Sequence, residues 1–494
     1  MAHASGRAID NVIPADFTHA PSGVHYRIYQ ENQRVWLDFD RPGDSLVHGK
    51  RELLYYIGSG HRGLTYLFSI DGFVFESPIN WYGKKRTWDM TPAYQSARQV
   101  PLNLPTFASC LHCHVGDMRP PISGTDNRYA APLFEHGGVT CESCHGPGAA
   151  HVKGGAIINP AKLPPDRRDQ ICMQCHLEGT VAIERAGRHV YEYRPGDNLM
   201  DYIRYFVLEN RSGLGAVSQV EALAQSVCKK KSADAMSCTS CHDPHFSPRE
   251  EEKAAYYRSK CLACHGVAFA AKHHSDRPDC TDCHMAALQS RDVAHTQVTD
   301  HRILPRAELA SQLLRDVDAQ PSSPRLVPFP RSMPVDVRDL ALAWQSLVDH
   351  GMTSAQEEAE RVLSAAVKQS PDDPALLAAL GYNQQRRGAN DRARDSYKRA
   401  LELDANLIDA ATNLGVIAIK AGRFAEGLQF WQGAFQRAPA RSQIGMNLAT
   451  VFCGAGRFDQ ARSVLLRVLE FNPDMEGAKR FLNELNHTAP RCTP

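Results

Sequence analysis

The chain has 494 residues, 43% of them hydrophobic and 22% charged, with a formal net charge of +1. That length predicts two to four domains. A charge so close to zero makes no case for nucleic-acid binding, and without a run of eighteen apolar residues no transmembrane helix is expected.

Residues 1–104 read as a small β-rich region. Val24, Tyr26 and Ile28 alternate, Glu31-Asn32-Gln33 turns, and Val35, Leu37 and Phe39 alternate again. A second hairpin runs from Tyr66 to Phe75 around Asp71-Gly72, a pair that favours a type I′ turn. Trp81, Tyr82 and Trp88 then either fill a small core or cover a flat cofactor, with the core reading preferred.

Residues 105–304 repeat Cys-x-x-Cys-His six times. The copies are Cys110, Cys113 and His114; Cys141, Cys144 and His145; Cys172, Cys175 and His176; Cys238, Cys241 and His242; Cys261, Cys264 and His265; and Cys280, Cys283 and His284. This is the attachment signature of haem c. The two thiols add across the haem vinyl groups, and the following His is the proximal iron ligand. Zinc sites also use CxxC pairs, but they take four ligands from two knuckles and do not need a His after every second Cys. About 29 residues per haem cannot enclose that much porphyrin in an ordinary apolar core. The expectation is a mostly irregular and α-helical domain packed around six haems, with one or two helices between His176 and Cys238. Twelve propionates would make the loaded protein acidic and suit it to a basic redox partner. Lys229-Lys230-Lys231 either pairs with propionates or is a solvated charge run. Lone Cys228 reads as a buried thiol, Cys453 as core of a repeat helix, and neither they nor Cys492 has a His arrangement for nucleophilic catalysis.

Covalent haem is attached outside the cytoplasmic membrane, yet Met1 to Arg7 lacks an apolar signal segment. A periplasmic or extracytoplasmic location is expected, with a signal peptide, and a further haem motif, upstream of the first residue here.

Residues 305–335 form a Pro-rich linker, extended and semi-rigid. Residues 336–486 then repeat with a period of 34. Gly381, Gly415 and Ala449 share one column with Leu347. Leu363, Tyr397, Trp431 and Leu465 share another, and Pro371, Pro439 and Pro473 close three repeats. This is the tetratricopeptide pattern of paired antiparallel helices, ending in a capping helix over Met475 to Leu485.

Of 22 histidines, six are proximal, leaving enough for a sixth ligand on every iron. The candidate distal ligands are His151, His245, His295, His301, His61, His19 and His274; neighbouring His273 and His136 are weaker. Each has the plain alternative of a surface or hydrogen-bonded imidazole. A haem with two His ligands transfers electrons, whereas an open one can bind a small molecule.

The segments Cys-Glu-Ser-Cys-His-Gly-Pro-Gly-Ala-Ala-His, Asn159 to Leu163, Cys-Thr-Ser-Cys-His-Asp-Pro-His and Thr299-Asp300-His301 resemble the cytochrome c-554-like superfamily of exported multihaem cytochromes, here fused to tetratricopeptide repeats. The resemblance covers residues 15 to 305. It implies close-stacked bis-His haems, with His151 and His245 as distal ligands. Relatives carry an earlier haem motif that is absent here, which would leave His19 a ligand without its iron.

The expected function is electron transfer through a chain of mostly bis-His haems, the repeats docking a redox partner or another protein or peptide. The alternative is a multihaem reductase or oxidase of a small nitrogen or sulfur oxyanion at one open haem. No motif carries the Lys substitution that would mark such a site, so electron transfer is favoured over an enzyme.

Overall fold

A computed structural model describes residues 5–209, 214–273, 279–305, 324–487 and 492. Eight strands near the N-terminus form one antiparallel sheet: β1 (Ser5–Arg7), β2 (Ala15–His19), β3 (Val24–Glu31), β4 (Arg34–Arg41), β5 (Asp44–Ile57), β6 (Gly63–Ile70), β7 (Phe73–Tyr82) and β8 (Thr87–Met90). Strands β2 to β8 pair in chain order, and β1 adds to β5. The alternation sets the faces: Tyr26 opposes Phe39, Ile28 opposes Leu37, and all four are buried. Both expected hairpins turn with two consecutive positive φ angles, 50° and 61° at Asn32-Gln33 and 51° and 83° at Asp71-Gly72. That is the twist a two-residue hairpin needs. Trp81 and Trp88 pack on the sheet core with ring centres 5.8 Å apart, and the buried Tyr82 donates to the Met90 carbonyl at 2.9 Å. The core reading of this aromatic group holds.

The chain divides into two compact units. One contains residues 4–138, 340–345 and 356–494; the other contains 139–339 and 346–355. In the first, the helix Ala108–His114 carries the first motif and packs Leu111 with Ile57, Leu67 and Val74 of the sheet. The same unit holds paired helices that recur from Gln356 to Phe471, followed by Glu476–Glu484. The glycine column explains the period physically. A Cβ on Gly381 would meet the Tyr397 ring at 2.8 Å, and one on Gly415 would overlap the Trp431 indole. Glycine in one helix therefore admits the aromatic of the next.

The last repeat joins the β-sheet core. Phe471 is fully buried, its ring 5.6 Å from that of Phe75. Arg41 grips the buried Asp474 carboxylate, one contact at 3.1 Å, and Asn103 donates to Asn472 at 2.9 Å.

The second unit has short helices, small apolar clusters and a three-stranded sheet of Val181–Glu184, Ile203–Leu208 and Leu326–Phe329. The last strand lies within the expected linker. Its Pro328 opposes Phe206 at the sheet edge, where a missing N–H costs no ladder bond. Arg185 binds Asp336 at 2.6 Å and also the buried Asp339. Residues 306–323 lie outside the described residues.

Candidate haem sites

Each motif lies on a helical turn, which sets Cys i, Cys i+3 and His i+4 on one face. Three motifs occupy helix ends or a whole short helix in Ala108–His114, Pro165–His176 and Lys253–His265. Glu142–His145 and Thr281–His284 are each a single turn begun by the first Cys, and Cys238–Ser240 is a 3-10 turn. Gly146 and Gly266 follow two of the histidines at φ 71° and stop the helix there.

The twelve motif cysteines are thiols, none paired in a disulfide and none fully buried. Of the first cysteines, Cys110 is half-buried and Cys141 exposed. Of the second cysteines, Cys113, Cys144, Cys175, Cys241 and Cys283 are half-buried and Cys264 is exposed. A thiol that must reach a vinyl group at the edge of a porphyrin needs such access, whereas a core cysteine does not. The Cys172 and Cys238 thiols lie within interaction range of each other, which together with burial pushes the Cys172 thiol up and brings the third motif beside the fourth. Burial pushes Cys261 up to about 11, helped by the neighbouring Cys280 of the sixth motif.

Four of the six motif imidazoles have a partner at Nδ1, whereas the buried Nδ1 of His114 has none among the described residues. His145 donates to the Ile158 carbonyl at 2.8 Å and His284 to the Leu304 carbonyl at 2.7 Å. His176 Nδ1 lies 3.1 Å from the Gln219 side-chain oxygen, and His242 Nδ1 lies 3.4 Å from the Tyr257 hydroxyl. A carbonyl can only accept, so the neutral tautomer at His145 and His284 leaves Nε2 with its lone pair for a metal. Burial pushes the His114 imidazole down, as does burial at His242, with His301 and His176 adding to it. Both shifts favour the neutral ring.

Three proximal histidines face a second histidine. His145 and His245 have ring centres 5.9 Å apart and planes 17° apart. His242 and His301 are at 6.2 Å and 28°, and His284 and His273 at 6.0 Å and 27°. Two imidazoles that held one iron between them would have ring centres about 6 Å apart. Among the described residues no three His, Cys, Asp or Glu side chains converge as a metal-holding group. His301 is further fixed by Nδ1 donating to the Thr299 carbonyl at 2.9 Å and by its neighbours, since Arg302 clamps the buried Asp300 at 2.6 Å.

The other candidates are placed differently. His151 is exposed, its Nδ1 on the Gly155 carbonyl at 3.2 Å with Nε2 left for a ligand. His295 sits at φ 56° between the short strands Ala287–Gln289 and Gln297–Thr299, and His61 is exposed in the loop from β5 to β6. His19 is buried in the sheet with Nδ1 at 2.9 Å from Ser22 Oγ and Nε2 at 3.3 Å from the Gln95 carbonyl. Neither nitrogen is spare, so His19 is a core histidine in this fold. His274 lies outside the described residues; its neighbour His273 is the one that faces a motif histidine. Lys229 serves locally, contacting Asp169 at 3.7 Å, while Lys230 and Lys231 are exposed.

Residues 81–146 match the family described as cytochrome c554 and c-prime, and residues 418–485 match a tetratricopeptide repeat family. The chain is similar to multihaem cytochromes c and carries tetratricopeptide repeats. A multiheme cytochrome MtrA of Shewanella baltica (strain OS185) is 23% identical over 182 residues, covering 32% of this chain and 52% of that protein. The chain thus spans about half the length of this relative. Among solved structures, MamA 41-end from Desulfovibrio magneticus RS-1 is 20% identical, with 31% of this chain and 85% of that one covered at a TM-score of 0.27. YrrB, titled a TPR protein with an unusual peptide-binding site, is 17% identical, with 28% and 70% covered at 0.25.

Proposed function

We propose that this protein is a hexahaem c-type cytochrome that carries electrons through mostly bis-His haems. The observation that carries the reading is the set of three proximal imidazoles, His145, His242 and His284, each opposed by a second imidazole about 6 Å away. His245, His301 and His273 are the assigned distal ligands; His151, His295 and His61 are the candidates for the remaining irons. Exposed apolar side chains beside the motifs support porphyrin packing, among them Val152, Val267, Phe246 and Phe269. Haem supplies a one-electron couple when bound. The thioether pairs are Cys110 with Cys113, Cys141 with Cys144, Cys172 with Cys175, Cys238 with Cys241, Cys261 with Cys264 and Cys280 with Cys283. The following histidines hold the irons, and contacts at Nδ1 orient the rings of His145, His176, His242 and His284.

The functional division at residues 104, 304 and 335 is part of the proposal, as is docking of a redox partner, protein or peptide on the repeats. So is an extracytoplasmic location. Covalent haem attachment supports it, and so does a disulfide between Cys453 and Cys492, a bond that persists in oxidising compartments. Among the described residues no helix is long and apolar enough to cross a membrane.

A second reading, reduction or oxidation of a small oxyanion, attaches to the fifth motif. The ring beside His265 is that of Phe269, at 5.3 Å, and an aromatic there offers iron no ligand. Intact mass and low-temperature EPR of protein matured in an export-competent host test both. Six haems, one disulfide and low-spin signals alone are expected. Fewer haems would overturn the hexahaem reading, and a high-spin ferric signal would favour the enzyme.

A further inference from the structure

Among the described residues, two buried hydrogen-bond donors in the second unit make no hydrogen bond. The Tyr193 hydroxyl makes no hydrogen bond, although the residue is 2% exposed, and neither does the buried Nη1 of Arg167. Arg167 lies on the helix Pro165–His176, five residues before Cys172, and its Nε lies 3.5 Å from the neighbouring Asp166 carboxylate. Tyr193 packs in the apolar cluster that Met173 joins, and its ring meets Tyr202 edge-on at 5.9 Å. The Tyr193 hydroxyl lies within electrostatic reach of Arg167 and of two haem-attachment thiols, Cys144 and Cys172. Burial holds this phenol protonated, so it remains a donor. Asp197 also faces it, but that carboxylate already accepts from Tyr202 at 2.7 Å.

A buried donor without an acceptor is costly, and such atoms in a folded protein mark a ligand, an ion or an ordered water. Here a cation and a neutral O–H stand together, which matches a carboxylate: one oxygen for the guanidinium, one for the phenol. We infer that Arg167 and Tyr193 form a buried receptor for a haem propionate, supplied by the haem of the second or the third motif. The inference rests on the haem reading above. Both residues are positioning and tuning groups. They neutralise a carboxylate inside the haem domain, and a positive charge near a haem favours its reduced state.

Redox potentiometry and resonance Raman spectroscopy of the full-length, haem-loaded protein test this. In Arg167→Gln the midpoint of one haem is expected to move negative while the others stay, with a smaller move in Tyr193→Phe and recovery in Arg167→Lys. The propionate-bending band should shift in the first two variants. Repeating the titration in His145→Met and His176→Met backgrounds, each of which marks one haem by its altered axial ligand, tells which haem supplies the carboxylate. Unchanged midpoints and an unchanged band in Tyr193→Phe, with full haem content by mass, overturn the receptor and leave the pocket to water. A mass without haem at the second and third motifs overturns the haem reading itself, and the receptor with it.

Discussion

Burial alone pushes the Glu76 carboxyl, which is within electrostatic reach of the first haem-attachment thiol, from 4.5 to about 7. The folded state therefore binds this proton more tightly than the unfolded chain does. Between pH 4.5 and 7 the unfolded carboxyl has lost its proton and the folded one has kept it, so stability falls as pH rises. At about 1.4 kcal/mol per pH unit the loss approaches 3 kcal/mol by pH 8. Glu76→Gln is expected to flatten this slope and to raise the denaturation midpoint at pH 8 more than at pH 5, as followed by circular dichroism; an unchanged pH profile would show that the group titrates normally. Single residues were unevenly legible. The proposed attachment cysteines and proximal histidines follow from a five-residue motif. The proposed distal ones depend on which way a ring points: His273 faces His284, and adjacent His274 could not be told from it by spacing. The orphaned donors at Arg167 and Tyr193 had no sequence signal at all.

At the scale of elements, the last repeat helix, Phe458–Phe471, contributes the aromatic that closes the sheet core. Phe471→Ala removes a fully buried ring wedged between Phe73 and Phe75 and is expected to cost about 3–5 kcal/mol. Sheet and repeats should then lose structure together in one calorimetric transition at lower temperature. Two separate transitions, with only the repeats affected, would show that they fold independently. The repeats and both hairpins were legible because each is a local rule: a 34-residue period, or a two-residue turn between alternating runs. The edge strand Leu326–Phe329 was not, because Pro328 and the prolines around the strand read as linker until a partner strand is known. The disulfide from Cys453 was missed for a similar reason. Its partner Cys492 is 39 residues away and carries no pairing motif.

For the whole molecule, the proposed docking role must be separated from the part the repeats play in the sheet core. One end is committed to the sheet through Arg41, Asp474 and Phe471. The exposed ring of Tyr382, with the Arg386 guanidinium 5.8 Å from its centre, lies on a helix remote in sequence from that end. Removing residues 336–494 would strip the sheet core as well as any docking surface, so deletion cannot isolate docking. The double variant Tyr382→Ala/Arg386→Glu is expected to weaken capture of a redox partner while leaving haem content and circular dichroism unchanged. Capture at wild-type level would place docking elsewhere.

By itself the amino-acid sequence determined the six attachment motifs, the hairpins and the repeat, since each is written in residues within one turn, one hairpin or one period. Tertiary structure decided what joins across the chain: which imidazoles oppose the motif histidines, which donors remain buried without a partner, and that Phe75 and Phe471 share one core. The reason is physical. Axial pairing, burial and ion pairing depend on distance in space, and residues such as Arg41 and Asp474, 433 positions apart, meet only once the fold has brought them together.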